Sequence, residues 1–400
     1  MLPIEANLVT TIASFSRAGD LSNLTFVAHA KRVAHISFHI AKALTLSKTE
    51  LNQLVLSALL HDVGVMTDEE QLHLADLEPE ADKVSPHCQR GYNLLQKTQI
   101  FSPLALNILE HHDYHSSKLR IIPAIIHVAD RVDILLNKER YALSQIEGIL
   151  HYFKGKAGHM FNPDVVDALH GLGRVPSFWL DLEYEHYHFV EDDDDFKRVL
   201  TLDELEELAQ LMARLVDSKS PFTGHHSEGV TETVAFLAKK LNMPDDKVRL
   251  VKVAGLLHDI GKLAIPDEIL MYPGPLSREQ MTVMKQHTYH SYHLISCIGP
   301  GAERLAGWAA FHHERLNGTG YPFGLAADSL EPEARLMAIA DITQSLLETR
   351  PYRAGMSKSQ VRHILQNHVQ AGNLDPALTD LAIRHLDDIM EIIYKTNKTA

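Results

Sequence analysis

The sequence predicts an all-α protein made of two tandem helical domains. Apolar residues recur at helical spacing along most of the chain, and one ordered set of histidines and aspartates occurs twice. In the second half the set is His226, His258, Asp259, His287, His312, His313 and Asp341. In the first half it is His29, His61, Asp62, His87, His111, His112 and Asp130. The first histidine and the His-Asp pair are 32 residues apart in both halves, which indicates two copies of one fold.

Corresponding helices can be placed in the two copies. Residues 51–64 and 248–261 carry apolar residues at i, i+3, i+4 and i+7, and both segments end in His-Asp-x-Gly, whose glycine is suited to ending a helix. Earlier helices begin near His29 and His226, and later ones carry Asp130 and Asp341. Residues 158–169 also match residues 371–382, so each copy has about the length of a whole domain.

The segment between the copies, residues 176–195, is aromatic at first and then strongly acidic. Its aromatic part could form a short β-hairpin near residues 180–190 or pack against the copy before it. The run Asp192–Asp195 is typical of a solvated linker or of the acidic start of the next helix. We therefore predict two domains, residues 1–195 and 196–400.

Composition restricts the classes of function. A formal net charge of −14 argues against general nucleic-acid binding, which depends on a basic surface. The N-terminus lacks the basic flank and apolar run of a signal peptide, and no stretch of about 18 apolar residues occurs, so we expect a soluble cytoplasmic protein. The two cysteines, Cys88 and Cys297, have no paired spacing, and we interpret them as reduced thiols without a role.

The repeated residue types indicate a metal centre. Neutral imidazoles and carboxylates suit iron, manganese or zinc, and an adjacent His-Asp pair can address two ions. Asp259 is the candidate bridge, with His226, His258 and Asp341 on one ion and the other three histidines on the second. Two such ions can share a hydroxide that attacks phosphorus in line, which predicts phosphate-ester hydrolysis. A single histidine on a helix is more often an ordinary core or surface residue, but seven residues repeated in order are hard to obtain by chance.

The second half resembles the HD-GYP family, a subgroup of the HD-domain metal-dependent phosphohydrolases, over about residues 200–395. The matching stretches are PFTGHHSEGV, LLHDIGKLAIPDEIL, MKQH, HHERLNGTGYP, IADITQSL and TRPYR. The resemblance implies an all-helical fold and a site of two or three metal ions, often iron or manganese. It also implies hydrolysis of 3′,5′-linked cyclic dinucleotides, most often cyclic di-GMP.

The resemblance assigns roles residue by residue. The seven histidines and aspartates of the second half fall on the family's metal-ligand positions, with Asp259 also in the catalytic centre. Lys262 falls where the family places a lysine that reaches the scissile phosphate. The signature loop contains Gly318, Gly320, Tyr321 and Pro322. Arg350 and Arg353 are candidates for gripping a phosphate or a guanine edge, with surface salt bridges as the alternative.

Three departures from the family pattern bear on function. Phe222 stands where members with three metal ions have a glutamate, which favours a site of two ions. The resemblance implies that these are divalent transition-metal ions, iron or manganese. Asn317 replaces an aspartate and Tyr272 replaces a lysine. Neither is a ligand position, so activity should survive, but substrate preference is left open.

The first half resembles a plain HD domain without the signature loop. Val65 stands in the place of the lysine, and 18 residues separate His112 from Asp130 against 28 between His313 and Asp341. Its seven histidines and aspartates are candidates for a second metal site or for a relic network that stabilises the fold. We predict a regulatory or dimerising domain that does not hydrolyse the same substrate.

The leading hypothesis is a phosphodiesterase that opens cyclic di-GMP or 3′3′-cyclic GMP-AMP to a linear dinucleotide, with mononucleotides after a second cut. One alternative is a non-catalytic receptor or interaction protein for the same ligands, and another is a nucleotide phosphohydrolase of the wider HD group. We expect no membrane partner, and the sequence leaves a homodimer or a signalling-protein partner open.

Overall fold

The computed structural model describes residues 4–21, 28–78, 81–187, 197–219, 226–348 and 355–396. The chain forms two compact units, Asn7–Arg198 and Val199–Ala400, the latter together with Met1–Ala6. We refer to them as the first and second units. The roles predicted for the two halves stay predictions.

The helices of the first unit occupy most of its described residues. They are α1 (Leu8–Leu21), α2 (His29–Ala43), α3 (Lys48–Leu60), α4 (Asp68–Leu74), α5 (Ala81–Leu95), α6 (Ala105–Glu110), α7 (Ile121–Leu135), α8 (Ile146–Lys156), α9 (Pro163–Leu172) and α10 (Pro176–Glu183).

The second unit repeats this helical character. Its helices are α11 (Leu202–Lys219), α12 (His226–Lys240), α13 (Asp245–Leu257), α14 (Asp267–Leu270), α15 (Arg278–Met284), α16 (Gln286–Ser296), α17 (Glu303–Ala310), α18 (Pro332–Leu347), α19 (Lys358–Gln370), α20 (Pro376–Arg384) and α21 (Leu386–Thr396). Strands β1 (Ile4–Asn7) and β2 (Lys197–Leu200) pair in a two-stranded sheet. The prediction of an all-α protein is confirmed.

The β-hairpin predicted near residues 180–190 is wrong where the structure describes that segment, because α10 covers Pro176–Glu183. Pro176 takes the first helical position, where its missing N–H costs no hydrogen bond. Phe178, Trp179 and Leu182 are all buried, and their helical spacing places them on one face. The aromatic run is therefore the core face of a helix. Residues 188–196, with the acidic run, lie outside the described residues.

In each unit three helices contain or directly precede four of the seven predicted ligands. Helix α2 packs against α3 and α7, and α12 packs against α13 and α18. His29 and His226 are the first residues of α2 and α12. His61 and His258 directly follow the last residues of α3 and α13. The repeated spacing of the sequence thus brings the same helix ends together twice.

The glycine of each His-Asp-x-Gly motif has a packing role that differs from the predicted one. Neither Gly64 nor Gly261 has a positive φ, so neither ends its helix in the left-handed conformation. A Cβ atom on Gly261 would lie 1.9 Å from the carbonyl oxygen of His287, and one on Gly64 would lie 2.0 Å from that of His87. Glycine is required because the next ligand helix passes directly against the motif.

None of the helices in the described part of the chain is both long and apolar enough to cross a membrane.

Candidate metal centre and signature loop

The second unit brings all seven predicted ligands into one buried cluster. Asp259 lies at its middle, since its Oδ1 is 3.4 Å from His287 Nε2 and its Oδ2 is 3.2 Å from His258 Nε2. His226 Nε2 lies 3.9 Å from Asp259 Oδ2 and 3.3 Å from Asp341 Oδ1. The two carboxylate oxygens of Asp259 therefore face different histidines, as a bridging ligand requires.

The ligand atoms fall into two groups on either side of Asp259. His226, His258 and Asp259 form one group, and His287, His312 and His313 form the other, with all ligand atoms of a group within 4.8 Å of one another. In the second group, the Nε2 atoms of His287 and His312 face each other at 3.4 Å. The apportionment of the seven ligands between two ions, with Asp341 beside His226, stays a prediction.

Main-chain hydrogen bonds fix the tautomer of three of these histidines. The Nδ1 atoms of His258, His287 and His312 each lie 2.7 Å from the carbonyl oxygen of the residue three positions earlier. A carbonyl only accepts, so Nδ1 carries the proton and the Nε2 lone pair points into the cluster. Among the described residues, buried His258 Nε2 has no hydrogen-bond partner. The buried lone pair of His258 Nε2, which has no hydrogen-bond donor in the described part of the chain, is suited to binding a metal ion.

The surroundings of the second group keep its histidines neutral, which is the form that binds a metal ion. Burial lowers the pKa of His287 to about 4 and that of His313 to about 3, so both are neutral at pH 7. Burial also acts to raise the pKa of Asp259, but the adjacent imidazole of His258 and the ammonium of Lys262 outweigh it and hold this pKa well below its usual range. Neutral imidazoles and an ionised carboxylate are the forms that bind divalent metals.

His226 behaves differently because two carboxylates surround it. Burial acts to lower its pKa, but the carboxylates of Asp341 and Glu348 prevail and raise it to about 9. Its Nδ1 lies 3.6 Å from Glu348 Oε2. A metal ion in the first group would have to displace this proton, so binding there is expected to release one proton at neutral pH.

Lys262, which the sequence predicts to contact the phosphate, lies beside Asp259. Its Nζ is 2.6 Å from Asp259 Oδ2, and its side chain is only 16% exposed. An ammonium at this depth is weakly screened by water and can stabilise charge that develops beside the cluster.

Glu314 anchors the signature loop, a role that was not predicted from the sequence. Its Oε1 accepts hydrogen bonds from the main-chain N–H groups of Phe323 and Gly324 at 2.7 and 3.1 Å. Its Oε2 accepts one from Leu325 at 3.0 Å. The residue is 2% exposed, so this carboxylate takes the place of water for three amides. Only its position directly after the His-His pair pointed to it.

The loop folds back tightly onto Glu314. A Cβ atom on Gly320 would lie 2.4 Å from Glu314 Cα, which only glycine avoids. Gly318 has a φ of 75°, and the Tyr321–Pro322 peptide bond is cis. The loop glycines are therefore needed for backbone shape, as the resemblance implies.

The loop places Tyr321 beside the metal cluster. Its ring centroid lies 4.9 Å from that of His313, and Lys285 Nζ lies 5.0 Å from the centroid of the Tyr321 ring. Arg315 is half-buried nearby, and the negative charge of Asp341 acts on its guanidinium. We did not single out Lys285 or Arg315 from the sequence, because neither occupies a repeated position.

We predict that Glu314→Gln destabilises the second unit by about 2 kcal/mol, because hydrogen bonds to a charged acceptor contribute about 1.5–3 kcal/mol each and the amide keeps only part of them. Urea unfolding followed by circular dichroism measures the change. The matched control is Glu303→Gln, whose exposed carboxylate accepts from Gly301 N–H at 3.0 Å and whose loss should change stability by less than about 0.5 kcal/mol. Equal stability of the two variants would contradict the anchoring role.

The remaining residues singled out from the sequence lie partly outside the described part of the chain. Arg350, Arg353 and Phe222 lie outside the described residues. Asn317 holds the loop, since its Nδ2 donates to the carbonyl oxygen of Ala371 at 3.0 Å. Tyr272 is 44% exposed.

The first unit also brings its seven residues together. Asp62 again lies between two groups, with Oδ2 3.3 Å from His61 Nε2 and Oδ1 3.4 Å from His87 Nε2. His29 Nε2 lies 3.4 Å from Asp130 Oδ1. With Val65 in place of a lysine, the side chain of Asp62 is 23% exposed, against 6% for Asp259.

Two buried arginines distinguish the first unit. Arg131 Nη2 lies 2.6 Å from Asp130 Oδ2, and Arg32 pairs with Asp133, whose Oδ2 is 2.7 Å from His29 Nδ1. The corresponding residues of the second unit are Ile342, Gly229 and Gln344. A Cβ on Gly229 would clash with the Gln344 side chain at 2.3 Å, so no longer side chain fits there without repacking.

Comparisons with known proteins agree with this architecture. Residues 26–135 and residues 210–378 each match a family model described as HD domain. The chain is 31% identical over 414 residues to the 3′3′-cGAMP-specific phosphodiesterase 1 of Vibrio cholerae serotype O1, and the match covers 98% of this chain and 95% of that protein. It is 35% identical over 183 residues to the cyclic di-GMP phosphodiesterase response regulator RpfG of Xanthomonas campestris pv. campestris, covering 45% of this chain and 48% of that protein.

A solved structure shares the fold over nearly the whole chain. It is described as a cyclic GMP-AMP specific phosphodiesterase of V. cholerae, V-cGAP3, with a TM-score of 0.64 and 22% sequence identity. The match covers 96% of this chain and 98% of that one.

Proposed function

Because the chain belongs to the HD-GYP family of metal-dependent cyclic-dinucleotide phosphodiesterases and has two HD domains, we propose that its second unit hydrolyses 3′3′-cyclic GMP-AMP. The observation that carries the proposal is the second unit's complete ligand cluster, with Lys262 and the signature loop beside it. The choice of substrate is supported by the relative that matches 98% of the chain.

The residues of the cluster would hold two divalent transition-metal ions, which we propose to be iron or manganese. When bound, such ions supply positive charge for the phosphate oxygens and activate water for attack on phosphorus. This local charge offsets the net charge of −14, which would otherwise repel an anionic substrate.

The chain's own residues supply orientation and charge. Asp259 lies between the two groups of histidines, and Lys262 presents its amine at Asp259 Oδ2. Attack of water on one phosphorus breaks the bond to the 3′ oxygen, which leaves with a proton. The product is a linear dinucleotide with a 5′-phosphate, and a second cut would give mononucleotides.

Tyr321 and Lys285 are proposed to flank the bound substrate. Tyr321 is held beside His313 by the anchored loop, and Lys285 lies over its ring. An aromatic ring and a cation next to a phosphate-binding centre suit a nucleotide, which offers a base to stack and a phosphate to pair.

Two other functions are less well supported. A receptor that binds without hydrolysis does not need a complete ligand set or Lys262. A nucleotide phosphohydrolase of the wider HD group does not account for the loop. We propose a non-catalytic role for the first unit, since Val65 stands in place of the lysine and its segment between His112 and Asp130 is ten residues shorter.

The substrate is tested by measuring kcat/KM of the metal-loaded chain for 3′3′-cyclic GMP-AMP and for cyclic di-GMP, with products separated by chromatography. We expect at least a tenfold preference for the mixed dinucleotide, about 1.4 kcal/mol of discrimination. Equal or reversed values would contradict the substrate assignment alone. No turnover of either with iron or manganese would contradict the hydrolase.

A further inference from the structure

Cys88 lies inside the histidine cluster of the first unit, although we gave it no role from the sequence. Its Sγ is 3.5 Å from His87 Nε2 and 3.8 Å from His111 Nδ1, and the residue is buried. His87, Cys88, His111 and His112 each offer a ligand atom, and these four atoms lie within 4.8 Å of one another. The group thus combines three imidazoles and one thiol.

The corresponding group of the second unit has no thiol. Thr288 follows His287 as Cys88 follows His87, and its Oγ1 donates to the carbonyl oxygen of Lys285 at 3.1 Å. A neutral hydroxyl engaged in this way is a poor metal ligand, so three imidazoles remain, and an ion there keeps open positions for water and substrate. The two histidine groups therefore differ in one donor, the thiol of Cys88, which the group of the second unit lacks.

The orientation of the imidazoles in the first unit also points to a cation. His111 Nδ1 lies 2.7 Å from the carbonyl oxygen of Ile108, which leaves the Nε2 lone pair facing inward. That Nε2 lies 3.3 Å from the Nε2 of fully buried His87. Within the described residues, buried His112 Nε2 and His87 Nδ1 have no hydrogen-bond partner. A buried ring nitrogen without a hydrogen-bond partner among these residues, such as His112 Nε2, is costly unless a cation is bound.

We propose that the first unit binds one divalent zinc-type ion through His87, His111, His112 and the thiolate of Cys88. Imidazole and thiolate ligands together favour zinc, and four protein ligands complete a tetrahedral shell. When the ion binds, Cys88 loses its proton to solvent and the sulfur forms the bond to the metal. A closed shell has no position for a substrate, so this ion stabilises the unit and takes no part in hydrolysis.

Two carboxylates beside His29 in the first-unit cluster are already paired with arginines. Arg131 pairs with Asp130, and Arg32 pairs with Asp133 beside His29. These guanidinium groups neutralise the carboxylates that would attract a second ion. We therefore expect one ion in the first unit and two in the second. The zinc-type site of the first unit is separate from the proposed catalytic site of the second. Absence of the zinc-type ion would therefore leave the proposed hydrolysis unaffected, and absence of hydrolysis would leave the zinc-type site unaffected.

Cobalt substitution tests the site, because a thiolate bound to Co²⁺ gives a charge-transfer band in the near ultraviolet that imidazole and carboxylate ligands do not give. The parent protein is the full chain with the substitution Cys297→Ser, which removes the other, exposed thiol. We expect the band in this parent after loading with Co²⁺, and its loss in Cys88→Thr/Cys297→Ser. Threonine is chosen because the second unit tolerates it at the matching position. Phosphodiesterase activity of the variant should stay within about twofold.

Absence of the band in the parent, or its survival in the Cys88→Thr variant, would overturn the proposal. Far-UV circular dichroism checks that the variant is folded. If it is not, X-ray absorption at the zinc edge of the parent decides. A sulfur neighbour at about 2.3 Å supports the site, and a shell of nitrogen and oxygen alone overturns it.

Discussion

Asp259→Ala is expected to lower kcat for the cyclic dinucleotide by at least about a thousandfold, whereas Asp62→Ala should leave most of the activity. Asp259 faces both groups of histidines, so its loss removes a ligand shared by both metal positions. A thousandfold loss corresponds to about 4 kcal/mol of transition-state stabilisation, within the several kcal/mol that metal ions contribute. Chromatography of products and metal analysis of each purified variant measure the two effects together.

Asp62→Ala is the matched control, because Asp62 holds the same position in the first unit. Both variants lose a carboxylate from a histidine cluster, so a general effect on folding would affect both. If Asp62→Ala lost as much activity as Asp259→Ala, catalysis could not be assigned to the second unit alone.

Lys262→Met should lower kcat by about a hundred- to a thousandfold while the metal content stays the same. Removing one preorganised donor to a developing oxyanion costs about this much in other enzymes. Methionine keeps the apolar stem of the side chain, which is only 16% exposed, so the loss reports on the ammonium. Steady-state kinetics with manganese-loaded protein measure kcat and KM separately.

Lys252→Met is the control for this charge. Lys252 belongs to the same unit and pairs with Glu232 through a 36% exposed side chain, where an ion pair contributes little. We expect its kcat to stay within twofold of the parent. A kcat within tenfold of the parent for Lys262→Met would exclude the predicted contact with the phosphate.

The sequence predicted the elements that a periodic pattern encodes. Apolar spacing located the helices around His61 and His258, and the repeat located the two ligand sets, because both depend on local order along the chain. Asp259 could be predicted as the bridge because it directly follows His258, and adjacent ligands can address two ions. Helix α10 was missed because its aromatic residues resemble those of a strand, and only burial on one face distinguishes the two.

Interactions between distant residues could not be predicted in this way. Glu314 reaches amides nine to eleven residues later, and nothing in the local pattern shows that the loop turns back. Arg32 contacts Asp133 across 101 residues. Cys88 looked incidental until the fold placed it beside His111. Each of these depends on packing that a single sequence does not reveal.

Hydrolysis in water enriched in oxygen-18 tests most directly that the second unit is a phosphodiesterase. We predict that the metal-loaded full chain converts 3′3′-cyclic GMP-AMP to a linear dinucleotide with one solvent oxygen in its 5′-phosphate, as measured by mass spectrometry. Asp259→Ala should give no labelled product. A substrate that stays cyclic and unlabelled with both iron and manganese, in protein shown to contain metal, would contradict the proposed function.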